Sequence, residues 1–132
     1  MALILVVDDE VEVAEAIRRV LEQAGFSVAV ANGAMEAAEA AEMQRPDIVV
    51  TDMIMPKANG LELIKTLRDS HPRVRVIAIS GGGSFGLHSY KPDAIKTHAY
   101  LAAAREAGAD EVLTKPFDMN DLLAVVRRQL PN

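Results

Sequence analysis

The first ten residues, MALILVVDDE (1–10), decide the fold more than any other stretch of the chain. Ala2 to Val7 is a continuous apolar run, and short runs of this kind are typical of strands buried on both faces, as in parallel sheets. Polarity then rises abruptly at Asp8 and Asp9, where the predicted strand ends. Since parallel strands need a crossover between them, usually a helix, the rest of the chain is expected to alternate helices with strands.

The remaining sequence has this alternation. Four more apolar stretches predict strands at residues 26–31, 47–51, 74–79 and 112–114. Each of the five strands is followed by a helical segment, and these segments end at Gly25, Pro46, His71-Pro72, Gly108 and Pro131. The order is that of a (βα)5 protein, an α/β fold with a doubly wound, five-stranded parallel sheet and helices on both faces.

Length and composition exclude several classes of protein. The 132 residues are enough for one domain, which we take to be 1–132. A formal charge of −5 argues against direct DNA binding, because that function needs a basic face. The absence of cysteine excludes disulfides and thiolate chemistry and suits a reducing, cytoplasmic location. No signal peptide and no membrane-spanning run are expected.

Polar side chains follow the predicted strands at one edge of the sheet. Asp8 and Asp9 come after the first strand, Asp52 after the third, Ser80 after the fourth and Lys115 after the fifth. In an open parallel sheet, ligands bind beyond the carboxyl ends of the strands. We therefore expect three carboxylates, one hydroxyl and one ammonium group to converge there.

These residue types favour magnesium-assisted phosphoryl chemistry. Carboxylates crowded together repel unless a cation joins them, and Mg²⁺ prefers carboxylates, waters and phosphate oxygens. Lys115 can hold a phosphate oxygen by charge, and Ser80 can donate a hydrogen bond to one. An aspartate can itself accept the phosphoryl group as nucleophile.

Four short motifs, in this order, cover essentially the whole chain: LVVDDE (5–10), TDMIMP (51–56), IAISG (77–81) and LTKPF (113–117). Together they resemble the receiver domain of two-component response regulators, the CheY-like branch of the flavodoxin-like fold. The resemblance implies that Asp52 accepts the phosphoryl group.

The same resemblance implies the remaining site residues. Asp9 and Asp52 would bind Mg²⁺ directly, together with the backbone carbonyl of Ile54, and Asp8 would support the ion through water. Ser80 and Lys115 would contact the phosphoryl oxygens.

The resemblance also implies the partners. A histidine kinase or a histidine phosphotransfer protein would donate the phosphoryl group. A downstream protein would then bind or leave the face formed by the fourth helix, fifth strand and fifth helix. We expect a stand-alone receiver that catalyses only its own phosphorylation and dephosphorylation, with no output domain.

The sequence departs from the family pattern at four places. Val112 stands where the family often has Tyr or Phe, and apolar Ile54 stands two residues after the acceptor. Gly81 follows the hydroxyl residue instead of the usual alanine, and the segment 81–96 is longer than is typical. Long segments of this kind are usually functional or mobile.

Two other functions stay open at this point. A degenerate receiver would act as a constitutive protein-binding module, although all five site residues are present. An Mg²⁺-dependent phosphatase of the haloacid dehalogenase type also forms an aspartyl phosphate. Such enzymes use Asp-x-Asp with the second aspartate as general acid, whereas Ile54 occupies that position here.

Overall fold

A computed structural model describes residues 2–55, 58–80, 102–114 and 117–130. Within these ranges, only the backbone is described at Ile54, Met55, Ala58, Asn59 and Ser80. The long segment 81–96 and Lys115 lie outside the described residues.

The sheet has five parallel strands, as the sequence predicts: β1 (Leu3–Val7), β2 (Ser27–Ala31), β3 (Ile48–Asp52), β6 (Arg75–Ser80) and β7 (Glu111–Thr114). Their order is β2-β1-β3-β6-β7. The strand order reverses direction between β1 and β3, and ligands bind at such a switch point in doubly wound sheets.

Helices cover both faces of this sheet: α1 (Val11–Gln23), α2 (Ala34–Gln44), α3 (Gly60–Ser70), α4 (102–107) and α5 (Met119–Gln129). The buried faces of α2, α3 and α4 belong to one core cluster, and those of α1 and α5 belong to a second on the other side. The doubly wound fold is confirmed. No helix of the described residues combines the length and the apolar character that a membrane span requires.

The segment between β3 and α3 differs from the expected loop. It contains a small antiparallel pair, β4 (Ile54–Met55) and β5 (Ala58–Asn59), and the helix starts at Gly60. Two residues per strand are too few for an alternating pattern to show in a sequence.

The helix ends follow the local chemistry of the sequence. Gly25 and Gly108 have φ of +102° and +122°, the left-handed conformation expected of glycine after a helix. Asp118 caps α5, and its side chain accepts the Asp121 backbone N–H at 3.0 Å. The Asp121 carboxylate reaches back to the Asp118 N–H and completes a capping box.

Arg68 of α3 joins three chain segments at the edge of the sheet opposite the acidic residues. Its guanidinium donates to the Gly108 carbonyl at 2.9 Å, to the Val74 carbonyl at 2.6 Å and to the Pro72 carbonyl at 3.1 Å. It also forms an ion pair with Asp110, which accepts the Val76 N–H at 2.8 Å. One side chain thus ties α3 to the start of β6 and to the end of α4.

We predict that Gly108→Ala destabilises the fold more than Gly25→Ala. Both substitutions force alanine into a left-handed conformation, at a cost of about 1–2 kcal/mol. A Cβ at residue 108 would in addition lie 2.6 Å from the Arg68 Cγ, whereas a Cβ at residue 25 meets nothing within 4 Å. Urea denaturation should show roughly 1–3 kcal/mol more destabilisation for Gly108→Ala, from overpacking. Equal losses of unfolding free energy would show that the Arg68 side chain simply moves aside.

An ion pair joins the end of α5 to β7. Arg128 pairs with Glu111 of β7, Nε to Oε2 at 2.8 Å. Gln129 also donates to Glu111 at 2.7 Å. The Arg128 guanidinium is the main cause that holds the pKa of Glu111 below its ordinary value, and burial opposes it.

We predict that Arg128→Met destabilises the protein at neutral pH and that this difference disappears in acid. Because the pKa of Glu111 is lower in the folded state, its pairing stabilises the fold above the unfolded pKa. That stabilisation is lost as the pH falls through the folded pKa. Denaturation midpoints between neutral pH and acid measure it, with exposed Arg127→Met as the matched control. If the difference in denaturation midpoint between Arg128→Met and the wild type persists unchanged in acid, the stabilising pairing of Arg128 with Glu111 is contradicted.

Candidate metal centre

The parallel pairing of β1 with β3 brings the predicted carboxylates together. Val7 and Thr51 are aligned partners in the two strands, so the next residues of both strands emerge at the same edge. One oxygen each from Asp8, Asp9 and Asp52 lies within 4.8 Å of the others. Asp8 and Asp52 are buried, with 3% and 8% exposure, while Asp9 is half-buried. The predicted acidic cluster is therefore present.

The loop that carries Asp8 and Asp9 is held from β2. The Asp8 N–H donates to the Ala31 carbonyl at 3.1 Å, and the Asn32 side-chain amide donates to the Asp8 carbonyl at 3.0 Å. Asp8 also accepts the Glu10 N–H on Oδ1 at 2.8 Å, which tightens the turn into α1. Asn32 was not among the residues expected at the site, because its partner lies 24 positions away.

Gly60 supports the backbone beside Asp52. A Cβ at residue 60 would lie 2.8 Å from the Met53 Cα and 2.9 Å from the Asp52 carbonyl oxygen. The Gly60 N–H donates to the Met53 carbonyl at 3.2 Å, and the Met53 N–H donates to the Ile79 carbonyl at 2.9 Å. Only glycine permits this approach of α3 to the end of β3. Gly60 was not among the residues expected at the site.

Charge repulsion makes this cluster a candidate cation site. Two unit charges 4.8 Å apart repel by roughly 3 kcal/mol at an effective dielectric constant of ~20. Three carboxylates, two of them buried, accumulate several such contributions. A hard divalent cation with oxygen ligands removes the repulsion.

The donor set fits Mg²⁺. Ligands at 2.0–2.1 Å around an octahedral ion stand at most about 4.2 Å apart, close to the spread of these carboxylates. Mg²⁺ usually takes one or two carboxylates and keeps several waters. Two direct carboxylate ligands with a third bridged by water therefore suit the cluster.

The other predicted site residues are placed only in part. Ser80 is the last residue of β6 and is aligned with Thr114 of β7, so its backbone reaches the same edge as Asp52. Lys115 directly follows Thr114 and lies outside the described residues. Ile54 begins β4, two residues beyond Asp52. The roles inferred for Ser80, Lys115 and Ile54 stay predictions.

Comparison with known proteins agrees with this geometry. A family model described as "Response regulator receiver domain" matches residues 4–127. The chain is 35% identical over 127 residues to the response regulator MprA of Mycobacterium leprae (strain TN), covering 96% of this chain and 50% of that protein. MprA of Mycobacterium avium (strain 104) gives the same identity and coverage. The chain thus spans about half the length of the curated relatives it matches.

Solved structures show the same fold. A receiver domain protein from Clostridium thermocellum has a TM-score of 0.80 and 30% identity, covering 98% of this chain and 94% of that one. The receiver domain of NtrX from Brucella abortus has a TM-score of 0.82 and 29% identity, covering 96% and 97%. A CheY-like protein from Methanospirillum hungatei JF-1 has a TM-score of 0.83 at 24% identity, covering 98% and 93%, which shows the fold alone.

We predict that Gly60→Ala weakens Mg²⁺ binding by about tenfold, the range typical of groups that position metal ligands. The added methyl group would push on the Asp52–Met53 backbone and displace the Asp52 carboxylate. Isothermal titration calorimetry with MgCl₂ measures the dissociation constant. Gly33→Ala is the matched control, because a Cβ there meets nothing within 4 Å. If both variants bind Mg²⁺ like the wild type, Gly60 does not position the acidic cluster.

Proposed function

Because the chain belongs to the response regulator receiver domain family, we propose that it accepts a phosphoryl group on Asp52 in an Mg²⁺-dependent reaction. The donor is the phosphohistidine of a histidine kinase or of a histidine phosphotransfer protein. The observation that carries this proposal is the convergence of Asp8, Asp9 and Asp52 within 4.8 Å at the switch point of the sheet.

Asp52 is the nucleophile in the proposed transfer. One of its carboxylate oxygens forms a bond to phosphorus while the phosphorus–nitrogen bond of the donor breaks, and the electron pair of that bond leaves with the imidazole. At 8% exposure Asp52 is held in a largely buried site, and the Gly60 contact to its backbone limits its movement. Positioning and charge neutralisation carry most of such a reaction.

The metal is assigned to three carboxylates and one backbone carbonyl. Asp9 and Asp52 would hold it together with the Ile54 carbonyl, and Asp8 would support it through water. Asp8 suits the supporting role because one of its oxygens already accepts the Glu10 N–H. When bound, Mg²⁺ neutralises the negative charge of the carboxylates and of the incoming phosphoryl group.

Ser80 and Lys115 are assigned to the phosphoryl oxygens. Ser80 ends β6, the neighbour of β3, and Lys115 follows β7, the neighbour of β6, in the sequence, so both strands lie on the β3 side of the acidic cluster. The serine donates a hydrogen bond and the lysine supplies a positive charge. Their movement toward the phosphoryl group shifts a two-state equilibrium of the neighbouring elements.

The signal leaves through the face of α4, β7 and α5, which binds or releases a downstream protein. Val112 of β7 is half-buried and packs against the core cluster that contains Ala104 of α4. A valine has no hydroxyl group and fewer rotamers than an aromatic residue. Phosphorylation is therefore coupled to this face through side-chain packing at Val112. Cytoplasmic location, the absence of direct DNA contact and the stand-alone domain stay predictions.

The two other functions are less well supported. A constitutive binding module does not need three carboxylates crowded together, because the repulsion among them serves no binding purpose. A phosphatase would need a general acid to release product, and the apolar residue at position 54 cannot act as one. Sustained turnover of small phosphate esters by the purified protein would support the phosphatase function instead.

We predict that acetyl phosphate with Mg²⁺ adds one phosphoryl group to the wild type and none to Asp52→Asn. The amide is a poor nucleophile and carries no charge to hold the metal. Intact mass spectrometry and Phos-tag gels measure the modification. Asp69→Asn is the control, because Asp69 is an exposed acid of α3 outside the cluster, and it should be modified like the wild type. An unmodified wild type, or a modified Asp52→Asn, would contradict the assignment of Asp52 as the phosphoryl acceptor.

A further inference from the structure

A cavity of about 440 Å³ lies at the edge of the sheet opposite the acidic cluster. Four parts of the chain line it: the end of α2, the lead into β3, the segment from α3 to the start of β6, and the end of α5. Its volume is within the size range of small-molecule sites in proteins. It shares no residue with the metal centre.

This cavity is basic in a protein whose net charge is −5. Arg45, Arg73 and Arg75 line it together with His71, and Asp47 is the one acidic residue among its lining residues. The Asp47 carboxylate already accepts the Leu3 N–H at 2.8 Å. The lining thus offers an excess of positive charge and donors, which favours an anionic ligand.

The guanidinium groups are available for a ligand. Arg45 and Arg73 are exposed and form no ion pair with any acid of the described residues. Arg75 lies 3.7 Å from Asp110, but Arg68 pairs more closely with the same carboxylate. Arg75 is 54% exposed and can turn toward the cavity without leaving Asp110 unpaired.

Arg45 has a backbone conformation that disfavours its own residue type. It is the one non-glycine residue of the described chain with positive φ, at φ 50° and ψ 65°, and it caps the end of α2. Glycine or asparagine is usual at such a position, and other residues are strained there. Strain of this kind concentrates at functional sites. Here it accompanies a guanidinium group on the wall of the basic cavity.

The opposite wall is rigid. Arg68 donates hydrogen bonds to the Pro72 and Val74 carbonyls, so the segment that carries Arg73 is held at both ends. His71 is largely buried, its Nε2 lies 3.5 Å from a carboxylate oxygen of Glu42, and its backbone N–H donates to the Leu67 carbonyl at the end of α3. A wall held in this way binds a ligand with little loss of conformational entropy.

We propose that this cavity binds the phosphate groups of a small phosphorylated molecule. The planar guanidinium fork matches the geometry of phosphate oxygens, and three such groups can neutralise a ligand with two or more negative charges. A volume of about 440 Å³ admits a phosphate with a small organic group but not a folded protein. The site is independent of phosphoryl transfer to Asp52.

Titration calorimetry with inorganic pyrophosphate, in Mg²⁺-free buffer of constant ionic strength, tests the proposal. We expect saturable binding of one equivalent by the wild type, and unchanged binding by Asp52→Asn, so that this site and the receiver function are judged separately. Arg45→Gly and Arg73→Gln should each weaken binding by about tenfold, because each removes a charge-assisted contact. Because Arg45→Gly also relieves the left-handed strain, we expect this variant to fold like the wild type.

Arg19→Gln, an exposed arginine of α1 outside the cavity, is the matched control and should bind like the wild type. Inorganic phosphate and a glutamate-rich peptide are titrated in two further experiments. Saturable binding of phosphate that the same two variants weaken also supports the site. Absence of saturable binding, equal effects of the control and cavity variants, or preference for the peptide would overturn the proposal.

Discussion

The structure depends on the parallel pairing of β1 with β3, which crowds negative charge at one edge of the sheet. Asp8 and Asp52 are buried, and one carboxylate oxygen of each lies within 4.8 Å of the other and of an oxygen of Asp9. The fold therefore retains a charge repulsion that three neutral residues would not create. The energy that offsets this repulsion comes from the apolar strands themselves, since every residue of β3 and all but the first of β1 are buried. The stable centre of the sheet thus holds a site that favours a cation.

The acidic cluster is positioned by backbone contacts as much as by its own side chains. Asn32 holds the loop of Asp8 from β2, and Gly60 lets α3 approach the backbone of Asp52. One contact comes from the residue that follows β2, and the other comes from the first residue of α3. The proposed reaction at Asp52 requires the carboxylates to stay in place while charge is added, and these contacts limit their movement.

The two edges of the sheet carry opposite charge. The carboxyl ends of the strands present the acidic cluster, whereas the amino ends lie beside the Arg68 network and the basic cavity. Arg68 holds the start of β6 and the end of α4 together. Because β6 ends at Ser80 and α4 leads into β7, this network anchors the far ends of the elements proposed to move on phosphorylation.

The sequence by itself determined the strands, the helix ends and the acids of the site. Apolar runs, glycine stops and the Asp118 cap are local signals, because their physics acts within a few residues. The rule that ligands bind beyond the carboxyl ends of parallel strands then placed Asp8, Asp9 and Asp52 together. Only the tertiary structure decided the roles of Asn32, Gly60 and Arg68 and the pairing of Arg128 with Glu111. Their partners are distant in sequence, so no periodicity or turn preference records them.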